Sequence, residues 1–233
     1  MEPLGGSLDG QNREWSVGEH VGETLRWTTY TGDGESETPV AIRTPTGEIP
    51  KERLGRFETL AAQWATINDR QTVRTLLDWG TDPRPWVAVV YIPDGLESWT
   101  TGNTLEIAQE CDPQTQVEVL FSICESLRTY SRYGSTGCHL ALHPDCLSFR
   151  VDNEEPIAVV GDWGISQLVT DPPTTPYTTP EQLDGDHASK RTDVYQVGVL
   201  AATILGNKSM FPAVDINDSS ALASAIRDGI NVD

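Results

Sequence analysis

The spacing of apolar residues divides the chain into a strand-rich first part and a helix-rich second part. The turn-rich stretch before Val40 and the apolar Pro39–Arg43 predict strands, and residues 31–38 a hairpin loop between them. Apolar residues at intervals of three and four between residues 49 and 68 predict one amphipathic helix: Phe57, Leu60, Ala61, Trp64 and Ile67. Strands are also predicted at Val73–Trp79 and Trp86–Ile92, with a turn at Pro93–Gly95.

The second part begins with a helix signal. Asp112 is a predicted N-cap and Pro113 occupies the first helical position. One stripe of that helix is apolar and predicts a buried core helix ending near Gly134: Val117, Leu120, Phe121, Cys124 and Leu127.

A hairpin is predicted next. Apolar and polar residues alternate over Leu147–Val151, residues 152–156 contain turn-forming residues, and Ile157–Val160 is apolar. The stretch 170–180 holds four Pro and five Thr and predicts an exposed loop. Asp193–Leu205 is apolar almost all round, which is typical of a helix buried on every side. Ser219–Arg227 predicts a short final helix.

The charge of the chain limits its partners. Asp and Glu number 35 against 16 Lys and Arg, giving a net charge of −19, which argues against binding nucleic acid or anionic membranes. Seven Trp and the regular apolar pattern indicate a folded protein rather than a disordered acidic chain. We interpret the acidic surface as adaptation to concentrated salt, of the haloarchaeal type.

The sequence lacks signals for export or membrane insertion. The longest apolar run, Val197–Leu205, is far shorter than the roughly 20 residues of a spanning helix, and the N-terminus has no basic and apolar leader. We therefore expect a cytoplasmic protein. Its four Cys form no C-x-x-C pair, so disulfides are not expected. Residues 1–14, Gly-rich and polar, predict a flexible tail.

Five short motifs occur in a fixed order along the chain: P-V-A-I-R at 39–43, C-H-L-A-L-H-P-D-C at 138–146, D-W-G at 162–164, T-P-E at 179–181 and D-V-Y-Q-V-G at 193–198. In that order and spacing they resemble motifs of the protein kinase superfamily, of the Ser/Thr type. The resemblance implies an α+β, two-lobed fold. It places a small β-sheet N-lobe with one crossing helix at 15–95, and a mainly helical, incomplete C-lobe at 96–233.

The departures from these motifs concern the chemistry of phosphoryl transfer. Arg43 replaces the phosphate-binding Lys of the family, and its helix Glu partner falls on Leu60, or on Glu58 if the helix is rotated. Ala141 replaces the catalytic Asp of the family. Loss of a general base lowers the reaction rate by about 10²–10⁴-fold. His143 stands at the loop Lys position, and Cys146 at that of the metal-binding Asn. The resemblance thus implies a degenerate pseudokinase.

Positions that shape a nucleotide cleft are better kept. By the resemblance, Ala41 and Leu147 sandwich an adenine ring, Val90–Ile92 supply hinge backbone, and Asp162 is the remaining ligand for Mg²⁺. The glycine-rich loop is thin, so ATP binding is expected to be weak or absent. An apolar spine linking the lobes is also implied: Trp64, Leu76, His139 and Trp163. The motif Glu181 lacks the Arg that pairs with it in the family.

Three functions follow as hypotheses. The first is a regulatory or scaffolding pseudokinase that binds a protein partner. The second is a slow, atypical ATP-dependent Ser/Thr kinase that relies on Asp162 and Arg43 without a base. The third is a zinc module built from four clustered N and S ligands: Cys138, His139, His143 and Cys146. The loop threonines are candidate phosphoacceptors: Thr174, Thr175, Thr178 and Thr179.

Overall fold

The computed structural model describes residues 4–33, 38–68, 71–91, 108–133, 137–152, 155–185, 188–206 and 226. Its first part is a six-stranded antiparallel sheet in the order β1-β2-β3-β4-β6-β5. The strands are β1 Ser7–Asp9, β2 Glu14–Glu23, β3 Trp27–Asp33, β4 Val40–Pro45, β5 Leu76–Gly80 and β6 Trp86–Val90. The predicted strands are present with shifted ends, while Ile92 and the turn Pro93–Gly95 lie outside the described residues.

The sheet is apolar on both faces, because successive residues of a strand point to opposite sides. Ala41 faces the main core, and Ile42 belongs to a second apolar cluster with Trp15 and Trp86. Leu4 and Leu8 are buried in that second cluster, and β1 pairs with β2. The expectation of a flexible tail is therefore wrong from Leu4 onward, because these leucines cover the outer face of the sheet.

One helix, α1 Leu54–Ala65, crosses the inner face of the sheet as predicted. Its buried residues are Phe57, Leu60, Ala61 and Trp64. Glu58 is exposed on the opposite side, whereas Leu60 lies against the core. The sequence left two positions open for the helix Glu of the kinase family, Leu60 and Glu58. The structure places Leu60 on the inner side of the helix and Glu58 on the outer side.

The second part contains the long helix α2 Pro113–Tyr133, the hairpin β7 Leu147–Asp152 and β8 Glu155–Val160, the short helix α3 Pro180–Leu183 and the helix α4 Lys190–Gly206. Asp112 caps α2 as predicted, since its carboxylate accepts the backbone N–H groups of Gln114 and Thr115. The described part of the chain is thus a β-sheet with one helix followed by a largely helical segment. None of the described helices has both the length and the apolar composition needed to cross a bilayer.

The buried face of α2 differs from the predicted one. Leu120 and Leu127 pack on the core, but Val117, Phe121 and Cys124 are exposed. The face against β8 and α4 is formed by other residues: Val119, Ser122, Ile123, Ser126 and Tyr130. The apolar pattern of the sequence does not identify this face, because two of its residues are serines. In the interior, both serines form hydrogen bonds with backbone groups.

The prediction that α4 is buried on every side is also wrong. Its buried residues are Thr192, Asp193, Gln196, Val199, Leu200 and Ile204. Val194 and Leu205 are exposed large apolar side chains on its outer surface. Of the final predicted helix, only Ile226 is described, as a buried helical residue.

Candidate functional site

The segment that resembles a catalytic loop is held by one buried carboxylate. Asp193 of α4 accepts the backbone N–H groups of His139 and Leu140, at 2.8 and 2.7 Å. Leu140 has φ 64°, a left-handed conformation that costs a non-glycine residue of order 1–3 kcal/mol. The two hydrogen bonds offset this cost. The loop is therefore fixed in a defined shape, although its catalytic position is Ala141.

Ala141 is fully buried and offers only backbone groups. Its carbonyl oxygen accepts hydrogen bonds from the Arg26 guanidinium at 3.3 Å and from the Cys146 thiol at 3.1 Å. Burial, together with the Asp162 carboxylate, raises the pKa of Cys146 well above its ordinary value, so the thiol stays protonated and donates. Neither residue supplies a base for a substrate hydroxyl.

Asp162 lies at the start of a strained turn. Asp162, Trp163 and Gly164 all have positive φ, at 74, 41 and 84°. The Asp162 carboxylate accepts hydrogen bonds from the backbone N–H of Ser166 at 2.8 Å, from its hydroxyl and from the Cys146 thiol. The carboxylate is completely buried. The carboxylate therefore has three hydrogen-bond donors within the protein.

Arg43 reaches into the same region from β4. Its guanidinium donates to the Asp145 carbonyl oxygen at 3.3 Å and lies over the Trp27 ring, 4.8 Å from the centroid. Burial lowers the pKa of Arg43 to about 10 despite the nearby Asp162 carboxylate. Arg43 is thus a buried cation enclosed by the protein's own groups.

Sequence reasoning missed the residues that enclose Arg43. Arg26, from the turn between β2 and β3, is buried and donates to Ala141 and to the Ser166 hydroxyl, and its backbone N–H donates to Asp145. Trp27 follows it, fully buried. We call Arg26, Trp27, Arg43, Asp145, Cys146 and Asp162 the central cluster. An arginine before a Trp in a turn carries no sequence signal that it points inward.

Asp145 joins the two halves of the central cluster. Burial alone would raise its pKa, but hydrogen bonding, including that of Thr24, and the nearby Arg43 cation outweigh burial and lower it, so the carboxylate stays charged. Burial lowers the pKa of His143, whose Nδ1 accepts the Asp145 N–H at 3.2 Å. His143 is therefore a neutral, packed side chain against Tyr177.

A further missed residue is Arg74, just before β5. It is buried, and its side chain lies against Gly161, where an added Cβ would meet it at 3.3 Å. Burial first, then the neighbouring Arg43 cation, lower the pKa of Arg74 well below its ordinary value. Two arginines thus occupy the space behind Asp162.

The positions that the resemblance assigns to a nucleotide cleft are buried. Ala41, Arg43, Leu147 and Asp162 each expose 2% or less of their surface. The N–H of Val90 donates to the Thr75 carbonyl oxygen at 3.0 Å. Ile92 lies outside the described residues. The implied spine residues are all buried, and the Trp163 and His139 rings lie 4.9 Å apart.

Several possible metal ligands of this region form hydrogen bonds with other groups of the protein. Among the residues that the structure describes, no group of three His, Cys, Asp or Glu side chains is placed to hold a metal ion. This finding also counts against the zinc hypothesis: His139 Nε2 bonds to the Gly161 carbonyl oxygen, and the Cys146 thiol bonds to Ala141 and Asp162. The predicted ligands are engaged elsewhere.

The Pro/Thr stretch is irregular but not the exposed loop that was predicted. Thr175, Tyr177 and Thr179 are buried, and Thr175 accepts the N–H of Tyr177 at 3.2 Å. Glu181, expected to lack its family partner, accepts a hydrogen bond from the Thr192 hydroxyl at 2.7 Å instead. Among the four candidate phosphoacceptors, Thr174 and Thr178 are half-buried, whereas Thr175 and Thr179 are buried.

Comparison with known proteins gives a distant similarity to one group of kinases. The chain is 27% identical over 224 residues to serine/threonine-protein kinase PknL of two Mycobacterium tuberculosis strains and of Mycobacterium bovis. The match covers 87% of this chain and 54% of the relative, so the chain spans about half the length of the curated relatives it matches. No family model matches the chain. The similarity supports a kinase-like fold and a place in the protein kinase superfamily.

Proposed function

We propose that this distant relative of Ser/Thr protein kinases is a pseudokinase, a domain that does not transfer phosphate and acts through a protein partner as a regulatory or scaffolding module. One observation supports the proposal: the side chains at the positions that the resemblance assigns to a nucleotide cleft are buried and bonded within the protein. Arg26, from the β2–β3 turn, is buried beside them and donates hydrogen bonds to Ala141 and Ser166.

The chemistry of the site supports the same proposal. Phosphoryl transfer depends on placed cations, metal ligands and a residue that orients the nucleophile. Here Ala141 has no polar side chain and the Asp162 carboxylate accepts three hydrogen bonds from Cys146 and Ser166. Arg43 is a cation of the right sign, but it is buried beneath Trp27. We further propose a cytoplasmic, salt-adapted protein, on the strength of its net charge of −19.

A phosphotransfer assay tests the proposal. The chain is incubated with γ-labelled ATP and Mg²⁺ in concentrated potassium chloride, alone and with generic protein substrates, beside the Asp162→Ala variant. We expect background incorporation in every sample. ATP-dependent incorporation by the wild type that Asp162→Ala abolishes would instead establish the slow, atypical kinase.

A further inference from the structure

Two neighbouring helices leave large apolar side chains uncovered. On α2, Val117 is 54% exposed and Phe121 64%; on α4, Val194 is 71% exposed. The two helices pack against each other. Exposed apolar side chains grouped on adjoining elements mark an interaction surface more often than isolated ones do.

A groove of about 420 Å³ lies between these helices. Its lining includes Cys124, Leu127 and Arg128 of α2, and Lys190, Val194 and Val197 of α4. The floor is apolar, and the two cations stand at its rim. We call this feature the α2–α4 groove.

The rim is cationic in a strongly acidic chain. Four of the 16 basic residues lie exposed on these two helix segments: Arg128, Arg132, Lys190 and Arg191. Two carboxylates lie nearby. Glu125 pairs with Arg128 at 2.6 Å, and Asp193 is bonded to the N–H groups of His139 and Leu140. Together with the flanking Arg132, Arg191 and Glu125, the lining residues Arg128, Lys190 and Asp193 give four positive and two negative charges beside the groove.

We propose that the α2–α4 groove binds an acidic amphipathic helix of a partner protein. The apolar face of the partner helix lies between α2 and α4. Its ridge of side chains packs into the groove between those two helices. Its Asp and Glu residues meet the basic rim. The net charge of −19 repels an acidic partner from most of the surface, so the rim also fixes where that partner binds.

This inference deepens the proposed function, because it names the surface and the chemistry of the partner. It does not depend on the state of the central cluster. Loss of helix binding would leave a nucleotide titration unchanged, and tight ATP binding would leave the groove intact. The two proposals therefore fail in distinguishable ways.

The test uses two labelled synthetic peptides of about 18 residues, or five helical turns. Both carry Leu on one face; the other face carries Glu in the first peptide and Lys in the second. Fluorescence anisotropy measures their binding to the full chain, at the lowest potassium chloride concentration at which it is folded. The variants are Val194→Glu in the groove, Leu205→Glu as a matched exposed control on α4, and the double change Arg128→Glu with Lys190→Glu.

We expect the Glu peptide to bind the wild type at least about tenfold more tightly than the Lys peptide, a difference of about 1.4 kcal/mol. Val194→Glu should remove that binding and Leu205→Glu should keep it. The double change should reverse the preference between the peptides. Equal binding of both peptides, no binding of either, or equal loss in the two α4 variants overturns the proposal. A dimer in sedimentation that Val194→Glu dissociates also overturns it, since the occupant is then a second copy of this chain.

Discussion

Arg26 is tied to the residues around the central cluster by three hydrogen bonds. Its guanidinium donates to the Ala141 carbonyl oxygen and to the Ser166 hydroxyl, at 3.3 and 3.1 Å, while its backbone meets Asp145. A buried cation with such bonds contributes to folding, because removing it leaves acceptors unpaired in the interior.

We expect Arg26→Ala to lower the free energy of unfolding by about 1–3 kcal/mol. The exposed Arg56 of α1 provides a matched control, and Arg56→Ala should change it by less than about 0.5 kcal/mol. Chemical denaturation of the three proteins measures both effects. Equal stability of the two variants would show that Arg26 does not hold the cleft closed.

Two buried histidines predict how stability depends on pH. Burial lowers the pKa of both His139 and His143 below 6.5. The unfolded chain therefore binds more protons than the folded chain just below that pH, and stability falls as the pH drops through 6.5. Each histidine contributes at most about 1.4 kcal/mol per pH unit.

The measurement is the free energy of unfolding at several pH values between neutral and mildly acidic, in concentrated potassium chloride. His143→Gln should reduce the slope below 6.5. An unchanged slope in His143→Gln would mean that folding does not lower the pKa of His143.

The site residues readable from sequence are those inside motifs. Ala141, Cys146 and Asp162 could be placed because each stands at a fixed distance from a neighbouring motif. Arg26 and Trp27 could not, since a turn residue's direction is set by the strands on either side, here the β2–β3 pairing. The substitutions at the motif positions could thus be predicted from the sequence, and the burial of Arg26 and Trp27 beside them could not.

Among the elements, α2 shows how an apolar pattern misleads. Two of its stripes are suitable for burial, and the sequence favoured the one that contains Phe121. The face with Ile123 is buried instead, because Ser122 and Ser126 satisfy their hydroxyls against backbone carbonyls and allow close packing. The helix itself, its N-cap and the β7–β8 hairpin were predictable, because their signals are local.

This assignment of the α2 faces predicts opposite outcomes for two similar substitutions. Ile123→Ala should lower the free energy of unfolding by about 2–5 kcal/mol, because it opens a cavity in the core. Phe121→Ala, on the exposed face, should change it by less than about 0.5 kcal/mol. Thermal and chemical denaturation measure both. If Phe121→Ala lowers the free energy of unfolding more than Ile123→Ala does, the buried face is the one that contains Phe121.

For the whole molecule, the acidic excess predicts a dependence on salt. With 35 acidic groups on 233 residues, self-repulsion opposes the compact state until ions screen it. The screening length falls from about 10 Å at 0.1 M to about 3 Å at 1 M salt. We therefore expect the melting temperature to rise steeply between dilute buffer and molar potassium chloride. A melting temperature that does not change would contradict salt adaptation.

The proposed pseudokinase function depends on whether the cleft between the two parts of the molecule accepts a nucleotide. The most direct measurement is a calorimetric titration of ATP into the full chain in concentrated potassium chloride, with and without Mg²⁺. The buried central cluster and the hydrogen bonds that the Asp162 carboxylate accepts within the protein predict no saturable binding up to about 1 mM ATP, an affinity of roughly −4 kcal/mol, and no effect of Mg²⁺. Saturable binding at micromolar ATP that strengthens with Mg²⁺ would contradict the account, because Arg26 and Trp27 would then have to leave the cleft.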